Sequence, residues 1–143
     1  MNEDQLVDRL ITSLNGELSP RFLVTPAYAS ASVEGLSPSA RPDIVVSGGD
    51  NKVVLIQVKN TGKGQELPLS TAHTTRILSE ANAAFHPRVA LVTSSKVSPL
   101  LQGELDDQNV SVFHLEDLDA LVQELLTYIS SDEEKVEKAH GSH

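Results

Sequence analysis

Three side chains stand out for what they could do if brought together: Asp43, Gln57 and Lys59. A carboxylate, an amide and an ammonium at one point would suit metal-assisted hydrolysis of a phosphodiester. Asp43 would ligate Mg²⁺ (or Mn²⁺), hard ions that take oxygen ligands and keep several waters. Gln57 would present a neutral carbonyl oxygen to the same ion, and the backbone C=O of Val58 could complete the set. Lys59 would position or help deprotonate the attacking water and stabilise the developing charge. A second carboxylate would raise metal affinity, and Glu3, Asp4 and Asp8 are available near the chain start. Asp4 and Asp8, four residues apart, share one face of a helix. Each of these residues also has a plain reading. The trio could be incidental polar residues at a hairpin end, and Asp4 could simply complement a helix macrodipole.

The spacing of apolar residues supplies the elements that would hold them. Residues 43–47 and 52–59 are β-branched runs separated by Gly48-Gly49-Asp50-Asn51, which is turn chemistry, so they read as a β-hairpin. The second run is apolar on both faces and reads as a covered central strand. Residues two apart on a strand share a face, so Gln57 and Lys59 point the same way. A four-residue turn over 48–51 sets Ser47 opposite Lys52 and Asp43 opposite Ile56, one step from Gln57.

Around the hairpin, Leu6, Val7, Leu10, Ile11 and Leu14 fall at helical spacing over 3–15, with Asn15-Gly16 as the stop. Residues 22–29 read as a strand that Pro26 interrupts or confines to an edge. Residues 30–42 read as a loop. A helix is expected over 70–84 with Ile77, Leu78, Ala81 and Ala84 inward, and a strand over 88–93. The spacing predicts a further helix over 98–107, with Ser98 as N-cap and Pro99 at its first position. A last strand over 110–115 leads into a last helix over 116–129. Strands alternating with helices in the second half imply parallel pairs with helices on both sheet faces. Residues 1–129 thus read as one domain, and 130–143 as a charged tail that frays.

Composition narrows the chemistry. The chain has 143 residues, 3% aromatics and no Cys, so its core is aliphatic and it offers neither a disulfide nor a thiolate. Absence of Cys fits a cytoplasmic protein, and no apolar run approaches a membrane span. His73, His86 and His114 lack zinc spacing. Ser30, Ser94 and Ser95 sit in no GxSxG elbow. No GxxxxGK[ST] follows Gly48-Gly49, so this is not a phosphate loop. Twenty acidic against 11 basic residues leave a net charge of −9, which argues that any grip on nucleic acid is weak, local or supplied by a partner. Lys63, Arg76 and Lys96 could contact phosphates, and solvated surface charge explains them equally.

Arg41-Pro42-Asp43, 13 residues, then Gln57-Val58-Lys59 resembles the signature of the PD-(D/E)xK nuclease superfamily, with Gln as in the Q-x-K variant of Mrr-like restriction endonucleases. That pattern also implies an acid early in the first helix, and Asp4 in Asp4-Gln5-Leu6-Val7-Asp8 stands in its place. Residues 89–95 and 112–118 are similar to the strand leading to a Thr/Ser turn and to the final strand and helix of those enzymes. The resemblance spans residues 4–126. It implies an α/β, restriction-endonuclease-like three-layer domain with a mixed central sheet flanked by helices. The function it implies is a Mg²⁺-dependent deoxyribonuclease of restriction or DNA-repair type, acting as a homodimer or with a DNA-binding partner. The acidic balance keeps a second expectation open: a nuclease-fold protein, weak or inactive in cleavage, that serves as an interaction or regulatory module.

Overall fold

The computed structural model describes residues 3–26, 42–48, 52–59 and 64–131. In chain order the elements are α1 (Glu3–Leu18), β1 (Phe22–Pro26), β2 (Ile44–Gly48), β3 (Val53–Val58), α2 (Ser70–Ala81), β4 (Arg88–Thr93), α3 (Pro99–Asp107), β5 (Ser111–His114) and α4 (Leu118–Ser130). A single turn of 3₁₀ helix, Ala83–Phe85, follows α2. The strands form one sheet in the order β1-β2-β3-β4-β5. The β1–β2 and β2–β3 pairs are antiparallel, and the β3–β4 and β4–β5 pairs are parallel. This is the mixed, three-layer α/β architecture that the sequence predicts. Among the described residues no helix is long and apolar enough to cross a membrane.

Alternation along the strands sorts the core into two layers. Ile44, Val46, Val54, Ile56, Val58, Ala90 and Val92 face α1 and α4. Val45, Val53, Leu55, Val89 and Leu91 face α2 and α3. All six residues of β3 are buried, as its two-sided apolar run requires. Edge strand β1 ends at Pro26, where a missing N–H costs no ladder bond.

Three expectations need correction. The first helix does not stop at Asn15-Gly16 but continues to Leu18, which is 1% exposed on the stripe begun by Leu6, Leu10 and Leu14. Burying a leucine is worth about 2 kcal/mol, more than the ~1 kcal/mol that a helical glycine costs, so the hydrophobic period overrides the stop signal.

The hairpin register also differs by one residue: Ser47 lies opposite Val53, and Ile44 opposite Ile56. Gly48 remains in the ladder, its N–H donating to Lys52 C=O at 2.9 Å, because it pairs with Phe22 of β1. A Cβ at Gly48 would meet the Phe22 ring at 2.6 and 2.8 Å. The glycine therefore serves ring packing on the strand. Residues 49–51 of the expected turn lie outside the described residues, as do 27–41 and the tail from 132 onward.

In α2 the inward face is Thr71, Ala72, Thr75 and Leu78, not Ile77, Ala81 and Ala84. Ile77 is 40% exposed. The Thr75 hydroxyl lies 2.7 Å from Gln108 Oε1 and 3.0 Å from Ala72 C=O, and the Gln108 amide donates to Ala72 C=O at 2.9 Å. Satisfied in this way, a threonine can be buried without the usual cost of an orphaned hydroxyl.

The later elements match their signals. The Ser98 Oγ accepts the Leu101 N–H at 3.1 Å as the N-cap of α3, with Pro99 next. Helix α4 begins after Asp117, whose carboxylate accepts the Asp119 N–H.

Candidate active site

Asp43 stands at the mouth of β2, directly after Pro42, a residue with no N–H to give to a ladder. Two hydrogen bonds fix it to β3. Its backbone N–H donates to Ile56 C=O at 3.0 Å. Its Oδ2 accepts the backbone N–H of Val58 at 2.7 Å, the short length expected of a charge-assisted bond. The side chain takes the place of a backbone partner where β2 runs out. One carboxylate oxygen is thereby committed to the strand and the other is left for chemistry. N–H and C=O of one strand residue leave the same edge, so the Val58 carbonyl also leaves β3 on the side of β2.

Gln57 and Lys59 continue the Val53 and Leu55 side of β3, toward α2 and α3. Gln57 is 9% exposed. Lys59 is half-buried. Its N–H donates to Val92 C=O at 2.9 Å, which carries the β3–β4 pairing one residue past the strand. The three residues singled out by the sequence therefore gather at the carboxyl end of β3, where open α/β sheets commonly collect ligands.

Burial pushes the Asp43 carboxyl above its ordinary value, 3.8, while the Val58 bond pulls it down. Glu3 raises it further, Lys59 lowers it and Asp4 raises it. Both acids at the start of α1 thus act on Asp43 from the opposite layer, and Glu3 acts more strongly than Asp4. Asp8, one turn further along, exerts no comparable influence. Among the described residues Arg76–Glu104, at 3.6 Å, is the ion pair present, so Lys59 and Asp43 are neighbours without a direct salt bridge.

The outlying cations scatter. Lys63 lies outside the described residues. Arg76 is turned to Glu104, tying α2 to α3. Lys96 is exposed just beyond β4, and its backbone pairs with the segment entering α2: Lys96 N–H donates to Gln65 C=O at 2.7 Å, and Leu67 N–H to Lys96 C=O at 2.9 Å. The sequence reading passed over two features. One is the Val58 N–H, which no side-chain pattern announces. The other is the weight of Glu3, which the i, i+4 pairing of Asp4 with Asp8 obscured. Buried Thr93, whose Oγ accepts the Ser95 N–H at 2.9 Å, shapes the neighbouring strand end.

Among the described residues no three His, Asp or Glu side chains converge as a ready metal cage. The donors at this spot are one carboxylate oxygen of Asp43, the Gln57 amide oxygen and the Val58 carbonyl. All three are hard oxygens, with no imidazole or thiolate, which suits Mg²⁺ or Mn²⁺ better than Zn²⁺. The Asp43 carboxyl raised by burial is a feature that a cation would relieve.

No family model matches the chain, and no curated protein matches it significantly. Solved structures do. A repair endonuclease from Pyrococcus abyssi matches with a TM-score of 0.55 at 13% identity, over 81% of this chain and 48% of that one. EndoMS, in a complex with double-stranded DNA, matches with a TM-score of 0.56 at 16% identity, over 80% of this chain and 44% of that one. A protein of unknown function matches with a TM-score of 0.51 at 13% identity, over 96% of this chain and 77% of that one. The likeness establishes a shared fold. The match takes in about half the length of the first two of these chains.

Proposed function

We propose that the chain is a Mg²⁺-dependent phosphodiesterase acting on DNA, of the restriction or repair class and of the Q-x-K kind within PD-(D/E)xK nucleases. The observation that carries this reading is the 2.7 Å bond from Val58 N–H to Asp43 Oδ2, which locks a carboxylate beside Gln57 and Lys59. A merely solvated hairpin end has no need to hold a carboxylate this way at a cost in desolvation. A fold shared with a repair endonuclease and with EndoMS, the latter in a complex with double-stranded DNA, supports the same direction.

In this reading Asp43, Gln57 and the Val58 carbonyl hold the ion, with an acid of α1, Asp4 or Glu3, adding negative charge. When bound, the ion lowers the pKa of a coordinated water and neutralises phosphate charge. Asp43, pinned through one oxygen, keeps the other aimed at a fixed point. Gln57 orients without adding charge. Lys59 presents Nζ donors to a non-bridging phosphate oxygen and balances charge as the phosphorane develops. Half-burial in the sheet end limits water around that ammonium and strengthens its field. With a net charge of −9, the chain relies for its hold on DNA on a second copy or a basic partner, in the cytoplasm.

A second reading, a nuclease-fold interaction module, is favoured by one observation: no triad of acidic or imidazole side chains converges among the described residues. Nicking of supercoiled plasmid in Mg²⁺ or Mn²⁺ separates the two. Cleavage lost in Lys59→Ala, with circular dichroism unchanged, supports the enzyme. A wild-type chain that nicks no DNA and shows no Mn²⁺ binding by calorimetry leaves the module.

A further inference from the structure

Hydrolytic sites that use two metal ions hold them about 3.5–4 Å apart, and need ligands that reach both. A side chain that spans such a pair gives one oxygen to each ion. The donors at the carboxyl end of β3 have no oxygen to spare for this. Asp43 Oδ2 accepts the Val58 N–H at 2.7 Å. A second cation at that oxygen would sit against the positive end of an amide. Gln57 carries a single oxygen, and the other end of its amide is a donor that repels cations. The Val58 carbonyl is one neutral oxygen. Among the described residues no group of three His, Asp or Glu side chains gathers to supply another bridge.

Charge sets the same limit. The charged groups whose fields act on Asp43 are Glu3, Lys59 and Asp4. With Asp43 itself these make three carboxylates against one ammonium. One divalent ion balances that set, and a second would leave positive charge uncompensated at a partly buried point. Lys59 already holds a positive charge at this end of the sheet. Its backbone is pinned to β4 by the N–H that donates to Val92 C=O at 2.9 Å, and the residue is half-buried.

We propose that the site takes a single divalent ion, and that Lys59 stands as the second positive charge that a two-ion site would supply with metal. This rests on the reading of the chain as a Mg²⁺-dependent phosphodiesterase. It assigns the Asp43–Val58 bond a second consequence: the bond fixes the carboxylate and also withdraws the oxygen that a bridging ligand would need.

The test titrates the full chain with Mn²⁺ alone, by calorimetry and by electron paramagnetic resonance. The expected result is one ion per chain, with the spectrum of an isolated Mn²⁺, and no binding in Asp43→Asn, which still accepts the Val58 N–H and keeps the fold. Lys59→Gln removes a neighbouring cation and tightens Mn²⁺ roughly five-fold, still at one ion per chain. Nicking of plasmid by the parent chain rises with the first power of Mg²⁺ concentration. Two ions lost together in Asp43→Asn, or the spectrum of an exchange-coupled pair, overturn the proposal while leaving the enzyme reading intact. Unchanged Mn²⁺ affinity in Lys59→Gln overturns it as well, since the lysine is then no counter-charge to the ion. A parent chain that binds no Mn²⁺, or one whose ion survives Asp43→Asn, overturns the proposal together with the reading it rests on.

Discussion

The two faces of the sheet are built on different rules. Under α1 and α4 the buried residues of the core are aliphatic throughout: Leu6, Leu10, Leu14 and Leu18 press on Ile44, Val46, Ile56 and Val92, with Leu121, Leu125 and Ile129 behind. Under α2 and α3 the leucines share the space with polar groups. Thr71 and Thr75 line the inner side of α2, Asn82 follows it, and Thr93 and Gln57 occupy the strand positions on that side. Gln57 and Lys59 emerge from this second face. The contrast teaches that one layer is held by aliphatic burial alone, while the other accommodates polar groups by pairing them, as Thr75 is paired with Gln108 and Asn82 with Leu78 C=O. A wholly apolar second face would leave an ammonium and an amide no environment in which to sit at the sheet end.

The contrast can be broken first at Lys59. Lys59→Ala should lower plasmid nicking about 10³-fold, the scale set by losing one preorganised stabiliser of developing charge, while the melting temperature stays nearly unchanged. A variant that unfolds instead would make the second face structural after all. Next comes Leu10, fully buried under α1. Leu10→Ala should cost about 3 kcal/mol in urea unfolding through lost burial and the cavity left behind. Thr75→Val keeps the volume but removes the hydroxyl beside Gln108, and should cost only ~1 kcal/mol. If the two costs were equal, the two layers would not differ in kind.

The smallest effect on stability lies at Asp43, where the sign is the informative part. Burial raises its carboxyl above 3.8 in the folded chain, so the folded state holds this proton more tightly than the unfolded one. The group therefore favours folding when protonated, and that advantage is lost as pH rises from about 3.8 through the raised value. Asp43→Asn, which can still accept the Val58 N–H, should melt slightly higher than the parent chain at pH 7 and no higher at pH 3. The same substitution should abolish nicking. A variant that melts lower at pH 7 would mean the charged form is favoured by folding and that burial is not the dominant influence.

Much of the site was legible because it lies on one hairpin. Alternation along β3 put Gln57 and Lys59 on a common side, and counting back through the turn brought Asp43 to the same end, even though the register was off by one residue. The count failed at Gly48, which pairs under Phe22 where turn chemistry suggested a loop; the ring that needs it lies 26 residues earlier in the chain. The same kind of distance hid the inner face of α2. Thr75 is buried because Gln108, 33 residues away, meets its hydroxyl, and a propensity scale ranks Ile77 inward with no knowledge of that partner. Helix α1 ran past Gly16 because Leu18 extends a stripe the local stop signal does not weigh. Glu3 outranked Asp4 at Asp43 through space, which helical spacing alone could not decide.

Strand β3 is the one described strand with an antiparallel neighbour on one side and a parallel neighbour on the other. Its two borders assemble on different schedules. The β2–β3 border joins residues a few turns apart, and such hairpins close within microseconds. The β3–β4 border must wait for α2 to carry the chain back across the sheet, a slower loop closure. The clasp between Asp43 and Val58 spans only 15 residues and belongs to the fast border. The corner of the sheet that holds Asp43 can thus take shape before the rest of the sheet has arrived to cover it.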